Sequence, residues 1–196
     1  MKEIFERVYN EKFWYKGSGA GSLPQNTIAL RKLLQTYFRE QEIHSLLDLG
    51  CGDWKMMRLM DLTEISYFGI DIVPTVIEND KNQFERGTIH FLLDDIRTAP
   101  LPPADLVLLK DVLQHWSQEE ILSFLPRLRP YRHVLVLNTC VGGNLNGPIL
   151  TGGNARPIDL SKPPFNFRIA ELLRYQSYRP MKKIYETKNL VRLYLT

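Results

Sequence analysis

The residues able to do chemistry in this 196-residue sequence gather at the ends of short apolar runs. Leu46-Leu47-Asp48-Leu49 leads into Gly50-Cys51-Gly52, and Gly69-Ile70 ends in Asp71. Leu92-Leu93 ends in Asp94-Asp95, and Leu108-Leu109 ends in Lys110-Asp111 with His115 close behind. Glycines at such a turn let a ligand approach the backbone where a side chain would block it. A carboxylate accepts two hydrogen bonds at once, which suits a pair of neighbouring hydroxyls. His115 is the one base in this neighbourhood of a type that titrates near neutral pH, and it suits deprotonation of an amine or hydroxyl. A scaffold role suits it equally, capping the helix that follows and packing beneath a ligand. Cys51 has no partnering base and reads as a small residue in a tight turn.

These ends need strands to hold them. Apolar runs at 45–49, 66–70, 89–93, 105–109 and 133–138 are short, bounded by turn residues and little alternated, as strands buried on both faces are. Helical patterns fill the gaps at 54–61, 75–84 and 118–128; the last has Ser117 as N-cap and Glu119 and Glu120 in its first turn. A further helix is expected at 28–39, ahead of the first strand. Alternating strand and helix predicts an α/β doubly wound, mostly parallel sheet with helices on both faces. The ending differs: 182–186 and 190–195 predict a C-terminal antiparallel hairpin turning at Lys188-Asn189.

Two glycine-rich stretches compete for the ligand. YKGSGAGS (15–22) has no apolar strand before it and no Lys-Ser or Lys-Thr after it, so it is not a phosphate loop. LLDLGCGDW (46–54) stands between a strand and a helical pattern, where open α/β sheets bind ligands. It lacks the third glycine of a dinucleotide turn, since position 55 is Lys55. The earlier stretch reads either as a closing lid hinged on its glycines, with Phe13, Trp14 and Tyr15 as apolar surface, or as a connector.

Taken in order, LLDLGCG, the acid of GID 21 residues after Gly50, LLDDI and ADLVLLKDVLQHW resemble the motifs of class I S-adenosylmethionine-dependent methyltransferases, a Rossmann-like family. The resemblance runs from Leu46 to Asn138. It implies S-adenosyl-L-methionine as cofactor, with Asp48 supporting the turn and the ligand's ammonium, and with Gly50, Cys51 and Gly52 admitting it. It places the ribose hydroxyls on Asp71 and the adenine against Ile72. Asp95 would accept from the adenine amine beside the Ile96 backbone, with Asp94 competing for that role. Lys110 and Asp111 would lie near the methionine moiety and the acceptor. The catalytic candidates are His115 and Asp111, and no metal is called for.

Composition bounds the rest. A hydrophobic content of 44% and a charged content of 24% suit one globular domain. Two cysteines make no disulfide framework, the N-terminus is too charged for a signal peptide, and no apolar run approaches the roughly 20 residues of a membrane span. A cytoplasmic protein is expected. Net charge is +3, but from Arg156 onward nine basic residues face three acidic ones, spread as on a solvated face rather than in a dense run. Nucleic acid is therefore not the expected partner, and a small-molecule acceptor is. The Pro163-Pro164-Phe165 triplet follows the fifth strand rather than the fourth, which argues against nucleobase methylation. Nothing in the sequence bears on oligomeric state. The expected organisation is a lid segment at 1–44, a cofactor core at 45–140, a substrate-side insertion at 141–180 carrying Arg156 and Asp159, and the hairpin at 181–196. Rival readings are a non-catalytic cofactor-binding module and a nicotinamide-dependent oxidoreductase.

Overall fold

A computed structural model describes residues 2–11, 17–148 and 155–195. Helix α1 (Lys2–Asn10) precedes α2 (Ile28–Glu40), whose Leu30, Leu34 and Phe38 recur at helical spacing and are buried against the sheet. The strands are β1 (Ser45–Leu49), β2 (Ser66–Asp71), β3 (Ile89–Leu93), β4 (Leu106–Lys110), β5 (His133–Thr139), β6 (Arg168–Arg179) and β7 (Ile184–Tyr194). They form one seven-stranded sheet in the order β3-β2-β1-β4-β5-β7-β6. The pairs among β1 to β5 are parallel, while β7 runs antiparallel to both β5 and β6. The order reverses between β1 and β4, so their C-terminal tips open a crevice there.

Helix α3 (Pro74–Phe84) shares one face with α2, whereas α4 (Gln118–Phe124) packs on the other. Ser117 caps α4 as expected: its hydroxyl accepts from the Glu120 N–H, and the Glu120 carboxylate accepts from the Ser117 N–H, closing a capping box.

Four expectations are corrected. The helix expected at 54–61 is reduced to a 3-10 turn at Met57–Leu59. Trp54 sits at φ 52°, outside helical space, because its indole is drawn into a ring cluster with Tyr67, Phe84 and Phe91. Double burial holds for β1, β4 and β5 but not for the edge of the sheet, where Phe68, Leu92 and Leu93 are 37%, 40% and 43% exposed. No helix covers them, because the chain passes from β3 to β4 without one. The hairpin turns at 180–183, not at Lys188-Asn189; those two residues pair in mid-strand with Tyr175 and Arg174 on one side and with Thr139 and Asn138 on the other. The insertion is shorter than 141–180, since β6 takes 168–179. Its described part is no loose lid: Ile158, Leu160 and Phe165 are buried in the core, and Asn146 Nδ2 donates to the carbonyls of Asp159 and Pro163.

Candidate active site

The crevice is a cavity of about 1090 Å³ at the strand tips. Every candidate lines it: Asp48, Gly50, Cys51, Gly52, Asp71, Ile72, Asp95, Ile96, Lys110, Asp111 and His115. Their convergence follows from the parallel strands, which bring the tips of β1, β2 and β4 and the start of the loop after β3 to one end of the sheet.

The β1 turn is built on backbone that favours glycine. Gly50 and Gly52 have φ 78° and 57°, and a Cβ at Gly52 would stand 2.4 Å from Ser18 Oγ. At the tip of β2, Asp71 accepts the Gly52 N–H at 3.0 Å and the Val73 N–H at 3.1 Å. A carboxylate offers about four acceptor positions, so this one ties the turn to β2 and keeps capacity for a diol. Burial raises its pKa, and the backbone donors pull the other way. Asp48 lies beneath the turn. Its Oδ2 accepts from the Tyr67 hydroxyl at 2.9 Å, its Oδ1 is buried with no partner, and burial pushes its pKa up to about 6. Asp95 is held by the Arg97 guanidinium, whose Nη2 lies 2.6 Å from Oδ2, and Arg97 also bridges to Glu120 of α4. Asp94 Oδ1 accepts from the Asp95 N–H at 2.7 Å. The Cys51 thiol is pushed well up by burial, so it is no nucleophile.

The early glycine stretch is a wall of this cavity. Ser18 Oγ donates to Asp53 Oδ1 at 2.6 Å and accepts from the Asp53 N–H at 3.0 Å, while the Tyr9 hydroxyl lies 2.8 Å away. Ser22 Oγ accepts from Lys110 Nζ at 2.8 Å. Phe13, Trp14 and Tyr15, the apolar surface of the expected lid, lie outside the described residues. Asp53 anchors this stretch, a role that the sequence signals only by its place beside Gly52.

The largest unforeseen feature is a buried ion triad. Lys188, 2% exposed, donates to Asp111 Oδ1 at 2.5 Å and to Thr139 Oγ1 at 2.9 Å, and Lys110 Nζ lies 3.3 Å from Asp111 Oδ2. Burial alone would raise Asp111, but the two ammoniums outweigh it and hold its carboxyl well below the usual range. A carboxylate held so low is a poor proton acceptor. His115, half-buried, packs edge-on against Phe5 with ring centroids 5.4 Å apart. It follows Gln114, which is buried and whose Oε1 accepts from the Thr139 N–H at 3.4 Å.

Asp80 on α3 is fully buried, and neither of its oxygens has a hydrogen-bond partner. Burial, reinforced by Asp53 and Asp71, pushes its pKa up to about 7. With the folded value above that of the unfolded chain, Asp80 favours the folded state least at high pH, and its cost grows as pH rises from about 4 to 7. Asp80→Asn is therefore expected to stabilise the protein more at pH 8 than at pH 5, by about 2 kcal/mol. Denaturant unfolding at the two pH values checks this, and an equal effect at both would refute it.

Charge divides the cavity. Around the tips of β1 to β3, five carboxylates (Asp48, Asp53, Asp71, Asp94 and Asp95) face two cations, Lys55 and Arg97. Around β4, β6, β7 and the loop at 155–157, five cations face two carboxylates, Asp111 and Glu186. The acidic end fits a cationic ligand with ribose hydroxyls and an ammonium, and it opposes a pyrophosphate. Among the described residues no group of three or more His, Cys, Asp or Glu could hold a metal ion, and no helix is long and apolar enough to cross a membrane.

A doubly wound sheet with this turn and this acidic crevice is the architecture of S-adenosylmethionine-binding proteins of class I. The family described as the O-methyltransferase domain matches residues 3–153, and the chain belongs to it. It is 27% identical over 141 residues to the caffeic acid 3-O-methyltransferase of Rosa chinensis, covering 70% of this chain and 35% of that protein. To the enzyme of the same name from Medicago sativa it is 29% identical over 122 residues, 62% of this chain and 30% of the other. The chain thus spans about a third of the curated relatives it matches. Human N-acetylserotonin methyltransferase, solved with SAM, shares the fold at a TM-score of 0.57 and 21% identity, covering 99% of this chain and 59% of that one. The Burkholderia thailandensis 1,6-didemethyltoxoflavin-N1-methyltransferase, solved with its namesake compound and S-adenosylhomocysteine, shares it at 0.64 and 13%, covering 98% and 86%.

Proposed function

We propose that this chain binds S-adenosyl-L-methionine and transfers its methyl group to a hydroxyl of a small acceptor in the cytoplasm. One observation carries the reading: a glycine turn tied to the tip of β2 through Asp71, opening on an end of the cavity where carboxylates outnumber cations five to two. Asp71 would take the ribose hydroxyls, Asp48 Oδ1 the ammonium, Asp95 or Asp94 the adenine amine, and Ile72 and Ile96 the adenine faces. When bound, the cofactor supplies an activated methyl group on a cationic sulfur. The chain's own work is to align the acceptor hydroxyl, exclude water and take up the proton, a role for which we put forward His115. Asp111 then becomes a positioning residue, orienting Lys110 and Ser22 rather than accepting a proton. A family named for O-methylation, and relatives named for small molecules, support the acceptor class. The acidic end counts against a nicotinamide dinucleotide, whose pyrophosphate would meet like charge.

Calorimetric titration with S-adenosylhomocysteine tests this. The chain is expected to bind it, and Asp71→Ala is expected to weaken binding by about 1.5–3 kcal/mol, the worth of hydrogen bonds to a charged group. Unchanged affinity in a folded variant would remove Asp71 from the site, and no binding by the parent would remove the cofactor.

A further inference from the structure

The tip of the β6–β7 hairpin carries five consecutive exposed residues, Met181, Lys182, Lys183, Ile184 and Tyr185. Met181 and Tyr185, at 70% and 68%, are the most exposed large hydrophobic residues among those described. The tip is held in shape. The Lys183 N–H donates to the Pro180 carbonyl at 3.3 Å, and the Tyr185 ring stacks on Tyr178 across the strands at 5.1 Å. Asn26 braces the same rung, donating to the Tyr178 carbonyl and accepting from its N–H.

Free charge at the tip has one sign. Among the described residues neither Lys182 nor Lys183 has a carboxylate partner. The other cations of this end of the cavity are paired or hidden. Lys110 and Lys188 share Asp111, and Arg179 holds Glu186 at 2.6 Å. Arg156 is 4% exposed; its Nη1 donates to the Trp116 carbonyl, and its Nε and Nη2 are buried without a partner, beyond the reach of an outside surface. Methionine, isoleucine and tyrosine beside two unpaired lysines suit the interface of an anionic bilayer. The apolar groups gain by entering the headgroup boundary, the tyrosine hydroxyl stays at headgroup level, and each ammonium meets lipid phosphate. A stable protein partner engages about 20–30 residues a side, far more than this tip presents, whereas a bilayer takes up only what enters it. Met181, Lys182, Ile184 and Tyr185 line the mouth of the cavity, and Val141, 56% exposed, lines it too.

We propose that the hairpin tip docks the chain on the surface of an anionic membrane, with the mouth of the cavity turned toward that surface. The contact is peripheral, and it does not depend on methyl transfer. Sedimentation of the full chain with two kinds of vesicle tests it, one of phosphatidylcholine alone and one of phosphatidylcholine mixed equally with phosphatidylglycerol. The parent is expected to prefer the anionic vesicles by roughly 10–30-fold, the effect of two lysines at a charged surface, and to lose most of that preference in high salt. Lys182→Gln with Lys183→Gln should abolish the preference. Met181→Ser with Tyr185→Ser should weaken binding to the anionic vesicles at unchanged melting temperature; should that pair unfold the chain, Met181→Ser alone carries this arm. Lys162→Gln with Arg168→Gln removes the same charge elsewhere on the C-terminal segment and should bind as the parent does. Equal losses in the two charge variants would make the attraction a matter of net charge and overturn the proposal. Equal binding of the parent to both vesicles would overturn it as well, and binding to neither would leave an acidic protein surface, not a membrane, as the partner of the tip.

Discussion

His115→Asn is expected to lower methyl transfer by about 10²–10⁴-fold while S-adenosylhomocysteine affinity and melting temperature hold, the scale of a lost general base. Of the groups lining the cavity, few can take a proton from an acceptor hydroxyl. Asp111 is disabled by its two lysines, and Asp95 is held by Arg97, whose hydrogen bonds lower its pKa. Asp48 lies beneath the glycine turn, where the Tyr67 hydroxyl occupies one of its oxygens. His115 follows a buried Gln114 in the 3-10 turn Leu113–His115 that precedes α4, and it lines the cavity. Asparagine keeps some hydrogen-bonding capacity and loses the proton exchange, so turnover should fall while the fold and the cofactor affinity hold. Loss of melting temperature and cofactor affinity together, with turnover per folded molecule retained, would assign His115 to the scaffold.

Lys188→Met is expected to destabilise the protein by about 3 kcal/mol, at the lower end of the cost of breaking a buried ion pair, because Lys110 still reaches Asp111. Methionine fills much of the lysine volume, so the change isolates charge from packing. What remains is a buried Asp111 carboxylate with one ammonium instead of two, at a residue whose backbone is already in the left-handed region at φ 61°. Asp111→Asn in the same chain should recover part of the loss, since no stranded charge is then left. The pH dependence has a definite sign. Asp111 is depressed in the folded state, so its contribution is present above the unfolded carboxylate pKa near 3.9 and fades as pH falls toward the folded value. The gap between parent and Lys188→Met should therefore narrow below about pH 4. Denaturant unfolding at pH 7 and pH 3 measures it, and a variant as stable as the parent at pH 7 would show that the triad contributes nothing.

Local patterns carried much of this molecule. The five parallel strands, the N-cap at Ser117 and the glycine turn after β1 were legible because each depends on residues within a few positions of one another. The cofactor-end candidates were legible for a related reason: in a parallel sheet, the residue after each strand is delivered to the same end of the fold. Pattern failed where a distant partner outbid the local signal. Lys188-Asn189 has the composition of a turn, but Asp111 and Thr139 draw the lysine into the interior and make the pair mid-strand. Residues 54–61 look helical, but the rings of Tyr67, Phe84 and Phe91 hold Trp54 at positive φ. Asp80 and Arg156 look like two more surface charges among many, and only the packing around them buries both. The sequence by itself determined the strands, the turn and the end of the sheet where ligand-binding groups meet, since these follow from short-range periodicity and strand direction. The tertiary structure alone decided which charges are buried, which carboxylate is silenced and which guanidinium is left unpaired, because charge pairing in the interior joins residues tens of positions apart.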